Sequence, residues 1–499
     1  MQAILGCKWT SIENHYRHRH RTSIVPRMPR SARPVDLPLV LDDGDRPLRH
    51  RIADAVVTQL REGRLRPGDP LPSTRVLASE LRVSRGPVVA AYDELASAGF
   101  IETHAGSGAV IAQGADRAAR AGALSSVEPM APCRPAPSRP ARAEVRHDLR
   151  PGRPDIGFLD RTAWRRAWRH AASLVPTNDL DSGPAHTRLR TVLADHIRRS
   201  RGIAVDPDDL LVTPGVSATV QALPEALCLR GRSVAVEDPG YVEAWTAFSD
   251  SECRVRALPV DDDGLDPAML RRTDAAVYVT PSHQYPLGAR MPVVRRTALL
   301  DWARSSDALI LEDDYDGEFR YDVSPLPALR SLEGADDHVL YMGTASKILV
   351  PTLRVSWLAP PRHLRDRIRT ELERRGLLVN EMTGEAVAEF IAGGSLAAHH
   401  ARAARTYAAR RARLVDALSR HLPHHRLSGV DAGLHLVLLL GDDVDDHEVA
   451  MSLLRHGVAV NPLSAYAVES DRRGLVIGYA GLPESAADVA VRALACGLP

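Results

Sequence analysis

The sequence predicts two folded units in series: a small winged helix-turn-helix and a larger α/β domain built on a mostly parallel sheet. Three observations carry that prediction. Residues 37–112 show apolar stripes at helical spacing, then a strand, a Gly-rich turn and a second strand. Residues 148–499 alternate helical patterns with short apolar runs, each ending in a polar or Gly-rich segment. Between them, residues 113–147 are rich in Ala, Pro, Arg and Ser and lack periodicity. A structureless stretch of that length is unusual inside a domain and ordinary as a linker.

Composition bounds the remaining choices. At 499 residues the chain has room for about three domains of ~150 residues. Net charge is +1, with 44% apolar and 25% charged residues. That is ordinary for a soluble globular protein, and no bulk charge points to nucleic acid or membrane. No apolar run approaches the ~18 residues of a spanning helix. The N-terminus has charge and histidine where a secretory signal has its apolar core. Residues 1–36 are polar, basic and aperiodic, which predicts a disordered tail, with Met28 as an alternative start. The cysteines (Cys7, Cys133, Cys228, Cys253 and Cys496) are scattered without a CxxC pair. They argue against a disulfide framework or zinc site and fit a reducing cytoplasm. His421, His424 and His425 lack a partner cluster at ligand spacing, so no metal is expected.

In the first unit, Ile52, Val56, Val57 and Leu60 mark one helix. Arg66-Pro67-Gly68-Asp69 makes a turn, and Ser73 stands as N-cap of a helix carrying Val76, Leu77 and Leu81. Val83-Ser84-Arg85 is a short turn in which Ser84 can cap the next helix. Pro87 falls in the first turn of that helix, where proline is tolerated. Val88, Val89, Tyr92 and Leu95 form its apolar stripe, and Gly99 ends it. Strand, Gly-rich turn and strand follow over 100–111.

The second unit carries apolar runs at 210–212, 233–236, 276–279, 308–311 and 338–341. Runs spaced by helices predict a parallel sheet, and ligands in such sheets collect beyond the C-terminal strand ends. Three run ends carry chemistry. Thr213-Pro214-Gly215-Val216-Ser217 opens a helix whose N–H groups can cradle a phosphate. Glu312-Asp313-Asp314-Tyr315 places carboxylates and a phenol at a strand exit. Gly343-Thr344-Ala345-Ser346-Lys347 follows the last run, with Arg354 nearby. The whole chain has two lysines, Lys8 in the tail and Lys347; all other basic side chains of this kind are arginine. Arginine cannot lose its proton, whereas a lysine can be held neutral and attack a carbonyl, so Lys347 suggests a Schiff-base site. Taken singly, Asp313 and Asp314 also read as solvated loop acids, Gly215 as an ordinary helix entry and Tyr315 as core. Together, in this order, they fit pyridoxal 5′-phosphate: an amine for the aldehyde, an acid for the pyridine nitrogen, and a donor for the 3′ oxygen.

Pro72-Ser73-Thr74-Arg75 through Gly106-Ser107-Gly108 resembles the GntR-type winged helix. Glu237 to Tyr241, Thr280 to Gly288, Glu312 to Tyr321 and Gly343 to Lys347 resemble the aminotransferase-like half of the MocR/GabR subfamily. The resemblance runs from about residue 37 to near the C-terminus, broken by the linker. It implies a DNA reader fused to a fold-type-I aminotransferase-like domain that binds pyridoxal phosphate and senses a small-molecule effector. It also implies a homodimer acting on paired half-sites of a double-stranded DNA operator. Carried over by position, Lys347 is the cofactor-bearing lysine, Asp313 pairs with the pyridine nitrogen, and Tyr315 with the 3′ oxygen. Tyr241 lies near the ring, and Val216, Ser217, Thr344, Ser346 and Arg354 surround the phosphate. In the DNA half, Arg75 and Arg85 are expected to contact the backbone, and Ser73 and Ser84 to place the helices. Between Arg46 and Tyr92 nine arginines face four acids, a local excess that suits phosphate contacts.

The chain departs from the pattern in four places. Aminotransferases present an arginine for the substrate carboxylate on a late strand, and Leu475 to Leu482 contains none. Glu243 puts negative charge where an amino-acid sensor can use positive charge. A carboxylate ligand would leave a buried charge unpaired unless Arg354, Arg472 or Arg473 reaches in. The expected effector is therefore not a simple amino acid bound in the usual way, and pyridoxal phosphate itself is a candidate signal. Pro87 stands where the family tends to have threonine, and Thr103-His104-Ala105 leads the wing where a basic residue is common. Two other readings stay open: a working aminotransferase with an accessory DNA-binding domain, and a scaffold that keeps the fold without the cofactor.

Overall fold

A computed structural model describes residues 37, 39–42, 44–104, 108–121, 145–175, 184–321 and 327–498. The chain divides into two compact units between residues 138 and 139, rather than the three that length alone allows. The expected tail over 1–36 and most of the expected linker lie outside the described residues.

The first unit consists of α1 (Leu48–Arg61), α2 (Thr74–Glu80), α3 (Arg85–Ser97), the hairpin β1 (Ile101–His104) and β2 (Gly108–Ile111), and α4 (Ala115–Ala121). The hairpin is antiparallel, with Ile101 opposite Ile111. Ile52, Val56 and Leu60 of α1 pack with Leu77 of α2 and Val88, Tyr92 and Leu95 of α3. Ser73 accepts a hydrogen bond from Val76 N at 3.3 Å and caps α2 as expected. Ser84 occupies the N-cap position of α3 in extended backbone but makes no capping hydrogen bond. The reason is in the sequence. A cap side chain bonds the N–H of the second or third helical residue, and here the third is Pro87, which has none, so only the Gly86 N–H is left to it. The linker expectation also needs correction at its start. Helix α4 buries Ala115 and Ala119 in the core of this unit, and Ala119 O accepts from Arg61 Nε at 3.2 Å.

The second unit begins with β3 (His147–Asp148), α5 (Arg161–Ser173) and α6 (Pro184–Arg201). Its main sheet contains β4 (Leu211–Thr213), β5 (Ser233–Asp238), β6 (Arg254–Asp261), β7 (Gly264–Leu265), β8 (Asp274–Val279), β9 (Leu309–Asp314), β10 (Val339–Thr344) and β11 (Ser356–Ala359). The spatial order is β4-β11-β10-β9-β8-β5-β6-β7. Strands β6, β5, β8, β9 and β10 run parallel. Strand β11 is antiparallel to both neighbours, so β4 points the same way as the parallel set. The five apolar runs of the sequence fall on β4, β5, β8, β9 and β10. They are continuous because helices cover both faces of a parallel sheet. Alternate residues serve the two sides: Val234, Val236 and Tyr278 pack on one, Ala235, Val277 and Val279 on the other.

Helices α7 (Val216–Ala226), α8 (Val242–Asp250), α9 (Val293–Ser306) and α10 (Ala345–Ile348) connect these strands. After α11 (Arg365–Arg374), α12 (Glu381–Ala392) and the long α13 (Ser395–His421) comes a smaller antiparallel sheet. It orders β12 (Leu427–Ser428), β13 (His435–Leu439), β16 (Gly474–Gly478) and β15 (Asn461–Pro462). Helices α14 (Asp446–Arg455) and α15 (Ala487–Ala495) complete the unit, and β14 (Val458–Ala459) pairs in parallel with β3. No described helix is long and apolar enough to cross a membrane.

Candidate functional site: a lysine, a carboxylate and an anion cradle at the strand ends

The C-terminal ends of β4, β9 and β10 meet at a cavity of about 220 Å³. Register brings them together. Gly343 of β10 lies opposite Asp314 of β9, and Thr344 opposite Ser356 of β11, which in turn faces Thr213 of β4. The Ser356 hydroxyl locks the row, sitting 2.7 Å from Thr213 Oγ1 and accepting from Gly215 N at 3.0 Å.

One end of the cavity is built for an anion. Gly215 is the N-cap of α7 with φ 113°, backbone that side chains rarely adopt. A Cβ there would lie 2.8 Å from Arg354 Cζ, so glycine also lets the guanidinium close over the helix start. The first N–H groups of α7, at Val216 and Ser217, have no partner within the helix and carry the positive end of its dipole. Thr344 caps α10 by accepting from Ser346 N at 3.1 Å. Val216, Ser217, Thr344, Ser346 and Arg354 all line the cavity.

Lys347 lines it too, and its Nζ donates to Gly152 O at 2.9 Å. Burial lowers its pKa, while Asp316, Asp313 and Glu243 act in the opposite sense. Asp313 is 5% exposed, so the reading of Asp313 and Asp314 as solvated loop acids fails. Burial raises the Asp313 carboxyl to about 7 against the opposing bond from Tyr278. Tyr278 Oη donates to Oδ2 at 2.6 Å, whereas Oδ1 is buried with no hydrogen-bond partner. An orphaned buried acceptor is costly, and it asks for a donor from within the cavity. Asp314 points the other way, as strand alternation requires. It accepts from Arg201 Nε at 2.5 Å and Tyr341 Oη at 2.9 Å, and so anchors the strand end instead.

Aromatic rings form the remaining wall. Tyr241 lies near-parallel to Tyr278, centroids 6.2 Å apart. Burial raises its phenol pKa, with Glu243 adding to the shift and Ser217 opposing it. Tyr285 meets Tyr315 edge-on at 5.4 Å and Tyr466 at 5.2 Å.

All nine residues expected at the cofactor site line this one cavity. Thr280, Tyr285 and Pro351 line it as well without a sequence signal of their own, although the first two lie in the Thr280 to Gly288 segment. Gly152 carried no sequence signal. Arg472 and Arg473 do not line the cavity, and Arg473 is occupied with Arg472 O at 3.4 Å. In the DNA half, Arg75 is exposed, and Arg85 Nε donates to Thr74 Oγ1 at 3.1 Å, fastening α3 to α2.

Comparisons with known proteins place both halves of the chain in families. Residues 158–494 match the model for aminotransferase class I and II, and residues 48–111 that for bacterial regulatory proteins of the gntR family. The chain is 36% identical to the HTH-type pyridoxine biosynthesis transcriptional regulator PdxR of Corynebacterium glutamicum, over 89% of this chain and 95% of that one. It is 32% identical to the probable rhizopine catabolism regulatory protein MocR of Rhizobium meliloti, over 89% and 92%. The chain belongs to the MocR/GabR-type subfamily of GntR transcription regulators. It is a DNA-binding regulator with an aminotransferase-like domain. Among solved structures, an archaeal alanine:glyoxylate aminotransferase shares its fold, with a TM-score of 0.65 and 24% identity over 70% of this chain and 90% of that one.

Proposed function

We propose that this MocR/GabR-type regulator binds pyridoxal 5′-phosphate and works as a cytoplasmic homodimer that reports on the supply of that cofactor. The supporting observation is the pairing, across one cavity, of a lone lysine amine with a buried carboxylate oxygen that has no partner. Lys347 would hold the aldehyde carbon and Asp313 Oδ1 would accept from the protonated ring nitrogen. The phosphate would lie between Arg354 and the start of α7. When bound, the group supplies an electrophilic carbon that takes amines.

The effector follows from what the cavity lacks. Strand β16 is buried and apolar, and Arg354, committed beside Gly215, is the one arginine among the described lining residues. A free α-carboxylate therefore has no spare cation to meet it. The name of the Corynebacterium relative ties that protein to pyridoxine biosynthesis, in keeping with a cofactor-level signal. Exposed Leu174 and Val175 follow α5, whose Trp164 and Trp168 meet edge to face with centroids 5.8 Å apart. They support an intersubunit surface.

The test is the absorption spectrum of the purified protein with added pyridoxal phosphate, compared with Lys347→Ala. Wild type should gain a visible band that the variant lacks. Calorimetry of the loaded protein with common α- and ω-amino acids should show no tight binding. Duplex binding should change on adding the cofactor alone. Equal uptake by both proteins would overturn the site, and steady turnover of an amino acid with a keto acid would establish a working transaminase.

A further inference from the structure

Beside Tyr315 lies a buried polar cluster that is not part of the cavity's lining. His283 and Asp316 are each 1% exposed. His283 Nδ1 lies 3.0 Å from Asp316 Oδ2, 3.2 Å from Oδ1, and 3.0 Å from Tyr315 Oη. We propose that Asp316 and His283 form a hydrogen-bond relay that aims the Tyr315 hydroxyl, making His283 a positioning residue for the cofactor's 3′ oxygen. The inference rests on the cofactor reading above.

The hydrogen positions follow from what each group can do. A carboxylate only accepts, so the ring nitrogen beside Asp316 carries the hydrogen. The other ring nitrogen, Nε2, is buried without a partner, which fits a bare lone pair better than an unpaired N–H. His283 is thus the neutral Nδ1–H tautomer. Its one hydrogen lies between Asp316 and Tyr315, and Tyr315 Oη accepts from that side. The phenol's own hydrogen then has to leave in another direction, and Tyr315 lines the cavity. The 3′ oxygen is the acceptor waiting there.

Neighbouring groups hold this state. Arg320 and Lys347 are the cations that act on Asp316. The His435 ring lies tilted against His283 with centroids 5.1 Å apart, and burial lowers its pKa to about 4, so it adds no positive charge beside His283. Its Nε2 lies 2.9 Å from Pro286 O. Gly433 has no room for a side chain because His283 and Asp316 fill the space a Cβ would take. One ligand atom from each of His283, Asp316 and His435 lies within 4.8 Å of the others, so the same trio can be asked to hold a cation. A cation held through His283 Nδ1 would break the bonds to both Asp316 and Tyr315, so the relay and a metal at that nitrogen exclude each other.

Two measurements on the full-length protein decide it. The first needs no cofactor: nitrogen-15 NMR of histidine-labelled protein should show His283 protonated on Nδ1. An Nε2–H tautomer, or a stoichiometric shift of the His283 and His435 signals on adding zinc, would overturn the relay. The second reads the pH midpoint of the bound cofactor's visible absorption. A donor aimed at the 3′ oxygen favours its anionic form, so losing one net hydrogen bond should raise the midpoint by about 0.7 pH unit. Tyr315→Phe should show that rise and His283→Leu at least half of it. His283→Asn keeps a donor at the Nδ1 position and should stay at the wild-type midpoint, whereas His283→Gln places its donor elsewhere and should behave like leucine. Tyr315→Phe combined with His283→Leu should rise no further than Tyr315→Phe alone. A wild-type midpoint in His283→Leu, or additive shifts in the double variant, refutes the relay. If wild type takes up no cofactor, the reading of the site fails, and the NMR tautomer still decides the relay.

Discussion

Replacing Asp313 with asparagine should stabilise the cofactor-free protein while weakening its hold on the cofactor. The folded empty site raises this carboxyl from 3.8 to about 7, chiefly through burial. In the unfolded chain the same group loses its proton near its ordinary value. Between those two pH values unfolding therefore releases a proton, so rising pH favours the unfolded state. The penalty is absent below about pH 4, grows to about pH 7, and is complete above that. At ~1.36 kcal/mol per pH unit, about three units give a full penalty of about 4 kcal/mol. Asparagine is neutral, has nearly the same shape, and can still accept from Tyr278 Oη. Its stability advantage over wild type should thus widen by about 2–3 kcal/mol between pH 5 and pH 8. Denaturant unfolding of both cofactor-free proteins at the two pH values measures this directly. Glu237, also raised to about 7 by burial, is pushed up in part by the Asp313 charge, so its titration relaxes in the variant and adds to the difference in the same direction. Cofactor affinity should move the other way, because the ring nitrogen loses its anionic partner. An advantage equal at pH 5 and pH 8 would mean that Asp313 is not held protonated in the empty site, and the argument from its orphaned oxygen would fall with it.

Three further outcomes follow from the geometry. Gly152→Ala should weaken cofactor binding and cost about 1–2 kcal/mol of stability, since φ is +76° and the new Cβ would lie 2.5 Å from Lys347 Nζ; calorimetry with pyridoxal phosphate and thermal unfolding check it. Ser73→Ala should cost about 1 kcal/mol as a lost cap, whereas Ser84→Ala should stay within about 0.5 kcal/mol, because only Ser73 makes its capping bond. Arg85→Ala should weaken binding to all duplexes alike and reduce the salt-dependence slope by about one, as read by fluorescence anisotropy across a salt series.

The parts of the site that were legible in the sequence share one property: each is a local event at the end of an apolar run. Gly215 before a helix, two carboxylates after β9 and a lysine after β10 all lie within a few residues of a strand end. The α/β pattern says that such ends converge. What stayed hidden depends on contacts between distant segments. Gly152 reaches Lys347 across 195 positions, and nothing in Pro151-Gly152-Arg153 announces it. Tyr278, the donor to Asp313, reads as an ordinary core residue because its ring packs in the sheet while its hydroxyl does the polar work. The cap expected of Ser84 is a local miss of another kind: the residue type and position are right, but Pro87 removes one of the two N–H groups it could reach.

Asp313 and Asp314 show why adjacency in sequence misleads about role. They are neighbours of one type at one strand end, and only the family resemblance, not their residue type or spacing, separates them in the sequence. Strand alternation sends them to opposite faces of the sheet. Asp314 meets Arg201, itself 1% exposed, together with Tyr341, and all its charge is answered within the protein. Asp313 meets one phenol and otherwise the cavity, so half of its acceptor capacity is left for something that is not protein. The two are also coupled, since Asp314 adds to the upward shift of Asp313. Arg201 offsets part of that repulsion by neutralising Asp314. The buried ion pair on one face of β9 thereby limits how strongly the other face resists ionisation, and Asp313 remains able to become the anion that a protonated ring nitrogen requires.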